Sequence, residues 1–291
     1  MKIPIDIISG FLGAGKTTLL NSMLKNIYSE MNIAIVENEF GDVDIDSSLL
    51  PENISIKELR SGCACCTIRI DFIKGLKELI KMDMFDRIVI EPSGVAKLSD
   101  MLSIINSESL CSVAKKGVAI TVVNPFFHSK YSGVVGAYYL NQIENADVIY
   151  FSRTGEFPLE SLSDIVADIR LLNDAQIFSS LPGNILDLSK SKQKESMSYK
   201  AHHSHVHSHK GENAHVVFSS RTISFEKIVL KENISAIIDK ILEETEGDVL
   251  RIKGSLTCED GSVIVQWVPG ELKTEKTPNA KNLLVVISSN S

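Results

Sequence analysis

Residues 5–20 read IDIISGFLGAGKTTLL, and this stretch decides the fold. Residues 5–8 are a short apolar run of the kind that forms a buried parallel strand. Residues 10–17, GFLGAGKT, satisfy G-x-x-x-x-G-K-[ST], and from Thr17 onward apolar residues recur at helical spacing. A strand, a glycine-rich turn and a helix in direct succession are what a phosphate cradle requires. Gly10, Gly13, Ala14 and Gly15 let backbone N–H groups and the helix amino terminus, where Thr18 also sits, converge on an anion. Lys16 reaches the terminal phosphates, and the Thr17 hydroxyl is an oxygen ligand for Mg²⁺.

Working outward, apolar runs at 33–36, 87–90, 118–123 and 148–150 alternate with segments of helical period at 17–26, 68–81, 98–105 and 158–172. That alternation predicts an α/β fold, a doubly wound and mostly parallel sheet. Residues 188–215 are rich in Ser, Lys and His with little to bury, which reads as a linker. Beyond it, a strand-like TISFEKIVL, a helical NISAIIDKILEETE and three further strand-like runs at 249–252, 262–268 and 283–287 predict a second, smaller α+β domain. The expected division is 1–187, 188–215 and 216–291.

Bulk composition excludes several classes of function. The formal charge of −7 does not favour gathering nucleic-acid phosphates. No apolar stretch approaches the roughly 20 residues that span a bilayer, and MKIPIDIISGF reads as a strand and not as a signal peptide. A cytoplasmic protein is expected, with neither nucleic acid nor membrane as partner.

Three further clusters carry chemistry. Residues 87–94, RIVIEPSG, end an apolar strand in Glu91, the expected second carboxylate on the Mg²⁺ side, and Gly94 is suited to close approach of the backbone to a phosphate. Residues 61–67, SGCACCT, place Cys63, Cys65 and Cys66 just ahead of a helix whose dipole favours thiolates. Soft sulfur donors select Zn²⁺ or a similar ion, and three of them leave one tetrahedral position open. The fourth ligand is water, a carboxylate such as Glu37, a linker histidine or a group on a client protein. Six of the seven histidines lie at 202–215, and His202, His203, His205, His207 and His209 suit weak, reversible metal binding. Cys111 and Cys258 stand alone and read as packing residues.

Taken together, GFLGAGKTT, the ENEFGDVDID run at 37–46, SGCACC and EPSG resemble the CobW-type metallochaperone GTPases, in family order. The likeness extends through ADVIYFS, LLND, LRIKGSL and VIVQWV. It implies a SIMIBI-class GTPase domain followed by a smaller domain, with GTP, Mg²⁺ and Zn²⁺ or Co²⁺ bound, a first switch at 37–46, and a metal-requiring client protein. A homo-oligomer is compatible with it. Two positions depart from the family pattern. Ser152-Arg153-Thr154-Gly155 stands where the guanine-reading N-K-x-D is expected, so the carboxylate that accepts guanine's donors is missing, and Asn124 replaces a typical aspartate. The chain also ends soon after Ile287, ahead of a final helix that the resemblance implies. No arginine finger can be picked out, which predicts turnover well below about one per second without a partner. The alternatives to this GTPase are a carrier that does not hydrolyse nucleotide and a P-loop ATPase or kinase acting on a small molecule.

Overall fold

A computed structural model of the chain describes residues 2–38, 54–58, 66–188 and 218–289, which group into two compact units. The first contains β1 (Ile3–Gly10), α1 (Lys16–Asn26), β2 (Ile33–Asn38), β3 (Ile54–Glu58), α2 (Cys66–Lys81), β4 (Arg87–Pro92) and α3 (Leu98–Ile105). It continues with β5 (Ala114–Val123), α4 (His128–Val134), α5 (Gly136–Glu144), β6 (Val148–Phe151), α6 (Leu159–Leu172) and β7 (Gln176–Phe178). Its seven strands form one sheet in the order β3-β2-β4-β1-β5-β6-β7, with every pairing parallel. This is the doubly wound α/β fold that the alternating pattern implies.

Parallel strands covered on both faces must be apolar throughout, and β1, β4 and β5 bury Ile5, Ile7, Ile8, Ile88, Val89, Ile90, Val118, Ile120 and Val122. Leu19, Leu20, Met23 and Leu24 recur at helical spacing, so α1 lays one apolar stripe on Ile8, Ile35, Val89 and Ile120. Tyr28 follows the helix and turns back, its N–H bonded to the Met23 carbonyl.

Asp6 breaks the apolar run of β1, and the sheet is built around it. Ile5 pairs with Lys116 and Ile7 with Ala119, so β5 carries one residue more than β1 at this point, a bulge. The Asp6 Oδ1 accepts the Val118 N–H and the Arg87 guanidinium, each at 2.7 Å. Oδ2 accepts the Tyr28 hydroxyl at 2.7 Å. Complete burial pushes the Asp6 carboxyl above its ordinary range, against the pull of Arg87 and these hydrogen bonds.

The second unit comprises β8 (Phe218–Ser224), α7 (Ile234–Glu244), β9 (Val249–Cys258), β10 (Gly261–Val268), β11 (Glu271–Thr277) and β12 (Leu283–Ser289). Its strands are antiparallel, in the order β11-β10-β9-β12-β8. Ile234, Ile238 and Ile241 of α7 cover Ile252, Leu256, Val263, Val265, Leu284 and Val286 of the sheet. One covered face explains why these strands alternate where β1 and β5 do not.

Several details differ from the sequence reading. The edge strands β3 and β7 are too short to announce themselves, and α4 and α5 lie in a tyrosine- and glycine-rich stretch with weak helical pattern. Residues 222–230 do not make one strand. Only the part up to Ser224 pairs in the sheet, Ile228 is exposed, and Val229 returns as a single bridge to Cys258. Cys258 is buried as expected, whereas Cys111 is exposed and does not pack.

Candidate nucleotide site

The strand ends of an open parallel sheet form the crevice where such folds bind ligands, and β1 carries the phosphate turn into it. Gly10 ends β1 in register with Val122 of β5. The turn takes left-handed backbone at Gly13 and Gly15, with φ 70° and 99°. Gly15 caps α1 at ψ 25° with no side-chain hydrogen bond, so the amino end of the helix faces the turn uncapped. Ala14 donates its N–H to the Phe11 carbonyl at 3.1 Å, Lys16 is buried at the start of α1, and Thr18 is exposed.

Behind the turn lies an aromatic brace that no motif foretold. The ring centre of Phe11 lies 4.6 Å from that of Tyr131 and 6.2 Å from that of Tyr139. The Tyr131 hydroxyl donates to the Leu12 carbonyl at 3.3 Å. His128 Nδ1 lies 2.9 Å from the Tyr139 hydroxyl, and Nε2 lies 3.7 Å from the Asp168 carboxylate. Burial lowers the His128 pKa below its ordinary 6.5, although Asp168 pulls the other way, so the ring is neutral at pH 7. The only cue in the sequence is the density of tyrosine in residues 131–139.

On the opposite side, the Thr17 hydroxyl donates to Glu91 Oε1 at 2.9 Å. Glu91 is 2% exposed at the carboxyl end of β4. A hydroxyl and a carboxylate meeting beside the phosphate turn are hard oxygen donors, a set that fits Mg²⁺. Glu37, also buried, pairs in register with Glu91 from the neighbouring strand β2, so the two carboxylates sit level on the sheet rim. Gly94 follows β4, and a Cβ there would stand 2.7 Å from the Leu12 backbone nitrogen. Its bareness therefore serves contact with the phosphate turn itself. Gln142 of α5 donates to the Gly94 and Ala96 carbonyls at 3.0 and 2.8 Å and holds this loop in place.

Beyond β6, the Ser152 N–H donates to the Val123 carbonyl at 3.0 Å. The Ser152 Cβ lies 3.5 Å from where a Cβ on Gly15 would be, so this loop adjoins the phosphate turn. Arg153 is left-handed at φ 57°. Asn124 follows β5, buried, with its Oδ1 accepting the Phe126 N–H at 3.1 Å.

Cys66 is the first residue of α2, while Cys63, Cys65, the run at 39–46 and the histidines His202, His203, His205, His207 and His209 lie outside the described residues. Among the described residues, no three His, Cys, Asp or Glu side chains gather to hold a metal. The sequence-predicted residues that come together are thus Gly10 through Thr18, Glu91, Gly94 and Glu37.

A family model described as CobW/HypB/UreG, nucleotide-binding domain, matches residues 4–179. A zinc chaperone CobW from Sinorhizobium sp is 27% identical over 290 residues, spanning 87% of this chain and 81% of that protein. The zinc-regulated GTPase metalloprotein activator 1 of Schizosaccharomyces pombe is 32% identical over 201 residues, covering 64% of this chain and 48% of that protein's length. Among solved structures, the Zn(II)-bound YjiA GTPase from E. coli shares the fold at a TM-score of 0.50 and 21% identity, covering 99% of this chain and 94% of that one.

Proposed function

This chain belongs to the CobW/HypB/UreG family, and we propose that it is a GTP-hydrolysing metallochaperone that binds a zinc-like ion and hands it to a client protein. The observation that carries the reading is the pairing of Glu91 with both sides of the device. It accepts the Thr17 hydroxyl from the phosphate turn at 2.9 Å, and it stands in register with Glu37 on β2. Glu37 opens the run at 37–46 that precedes the cysteine cluster in sequence.

In this scheme the N–H groups of the phosphate turn and Lys16 bind the triphosphate and neutralise charge that develops on it. Thr17 and Glu91 are the residues that hold Mg²⁺, which supplies electrostatic stabilisation of the transferred phosphoryl group. Gly94, seated on Leu12, transmits the occupancy of the turn to the loop after β4. Cys63, Cys65 and Cys66 hold the transition metal as cargo, with Glu37 as a further oxygen ligand and His202 to His209 as a weak reservoir. Any change in Glu37 on hydrolysis then changes metal affinity, a binding coupling that is reciprocal by linkage.

The test is a Zn²⁺ titration of the chain with GTPγS, with GDP and without nucleotide. A coupling of about 1 to 3 kcal/mol predicts affinities that differ by roughly five- to 150-fold between nucleotide states. Equal affinity in all three states sinks the coupled device.

A further inference from the structure

Guanine and adenine present opposed Watson–Crick edges. Guanine offers N1–H and N2–H₂ donors beside an O6 acceptor, while adenine offers an N1 acceptor beside an N6–H₂ donor. Selecting guanine requires an acceptor that takes both donors, and an ionised carboxylate does so most strongly. The loop after β6 adjoins the phosphate turn, Ser152 lying beside Gly15, and it is the stretch where the family resemblance expects the base-reading residues.

The side chains described in this loop are Ser152, Arg153, Thr154, Phe157 and Pro158, none of them an acid. Gly155 has nothing within 4 Å of the position a Cβ would take, and its backbone is outside the left-handed range. A side chain would fit there without strain, so the gap is chemical and not steric. Two aromatic rings stand at the same rim. Phe126, leaving β5, and Phe157, leaving the loop after β6, meet edge to face at 4.9 Å and 87°, and Phe126 is 46% exposed. Stacking on an aromatic ring tolerates any base, because every base has a π-face.

Resting on the GTPase reading above, we propose that the nucleotide site of this chain does not select guanine. It takes adenine and guanine nucleoside triphosphates alike, the phosphates held by the turn at 10–17 and the purine stacked at Phe126, with Gly155 as the position where selectivity is withheld.

Calorimetric titration of the chain with GTPγS and with ATPγS, in Mg²⁺, tests this. The two dissociation constants are expected to lie within about ten-fold of each other. Gly155→Asp adds one charged acceptor, a contribution that corresponds to roughly a ten- to hundred-fold preference for GTPγS. The variant should unfold at the same temperature as the parent, since nothing lies within 4 Å of the added Cβ. Glu156 is the acid next in sequence, and Glu156→Gln should leave the ratio of the two constants unchanged. Phe126→Ala should weaken both nucleotides equally, by roughly ten-fold. A parent chain that prefers GTPγS by about a hundred-fold overturns the proposal, because that is the discrimination a charged acceptor supplies. Loss of GTPγS affinity alone in Glu156→Gln overturns it too, since the guanine acceptor would then sit one residue further on. A folded Gly155→Asp variant with unchanged preference overturns the role of Gly155. Binding of neither nucleotide overturns the GTPase reading itself, a result distinct from tight binding of GTPγS alone.

Discussion

Asp6 and Glu91 are both buried carboxylates on neighbouring central strands, yet they are held for different ends. Asp6 is tied to framework alone: the Arg87 guanidinium, the Tyr28 hydroxyl and the Val118 N–H. It fills a bulge in mid-sheet and knits β1, β4, β5 and the end of α1. Glu91 stands where β4 ends and is tied to Thr17 of the phosphate turn. A buried charge enclosed by the framework sets stability, whereas one at the strand ends that touches the ligand-binding turn is positioned for chemistry.

Breaking the interior partner should have the largest effect. Asp6→Ala leaves Arg87 without its counter-ion and strands a buried hydroxyl and an N–H, so urea unfolding should show a loss of about 3 to 5 kcal/mol. A loss under about 1 kcal/mol, the scale of a surface pair, would remove the framework role. At the rim the pattern should reverse. Lys16→Ala is expected to cut phosphate release about a hundred-fold or more, near 2.7 kcal/mol, with little change in the urea midpoint. A variant that loses stability and activity in step would erase the distinction between the two regions.

Gly94→Ala sharpens the comparison by touching both. Its methyl would press on the Leu12 nitrogen at 2.7 Å, and overpacking of this kind costs about 1 to 3 kcal/mol. Nucleotide affinity should fall with it, because the displaced atoms belong to the phosphate turn. Unaltered binding in a destabilised protein would show that the contact is structural only.

The smallest effect concerns pH. The unfolded chain protonates His128 near pH 6.5, while the folded chain resists protonation to lower pH because the ring is buried. In that window the unfolded state binds more protons, so this contribution to stability is complete above pH 6.5 and is lost as pH falls through the window. A ten-fold difference in proton affinity between the two states is worth about 1.4 kcal/mol. His128→Gln should therefore flatten the fall in stability between neutral and mildly acid pH, measured by urea unfolding at a series of pH values. An unchanged slope would assign the acid sensitivity to other groups.

The phosphate turn was legible because it needs glycines, a lysine and a hydroxyl in consecutive positions, and local sequence carries all of them. Glu91 was legible as the polar end of an apolar strand. The brace of Phe11, His128, Tyr131 and Tyr139 was not, since its members are scattered over residues 11–139 and meet only when β5 lies beside β1. Asp6 was silent for the same reason. One aspartate in an apolar run is no signal until Arg87, Tyr28 and Val118, which lie 22 to 112 residues away, close around it.

The order of residues by itself determined the parallel sheet, the anion-binding turn and the lack of an acid at Gly155, because each depends on side-chain type at short spacing. Only the tertiary structure decided that Glu37 stands level with Glu91, that Gly94 rests on Leu12, and that the loop after β6 adjoins Gly15. Those are contacts between distant segments, and strand order and register, which no local periodicity encodes, are what bring them together.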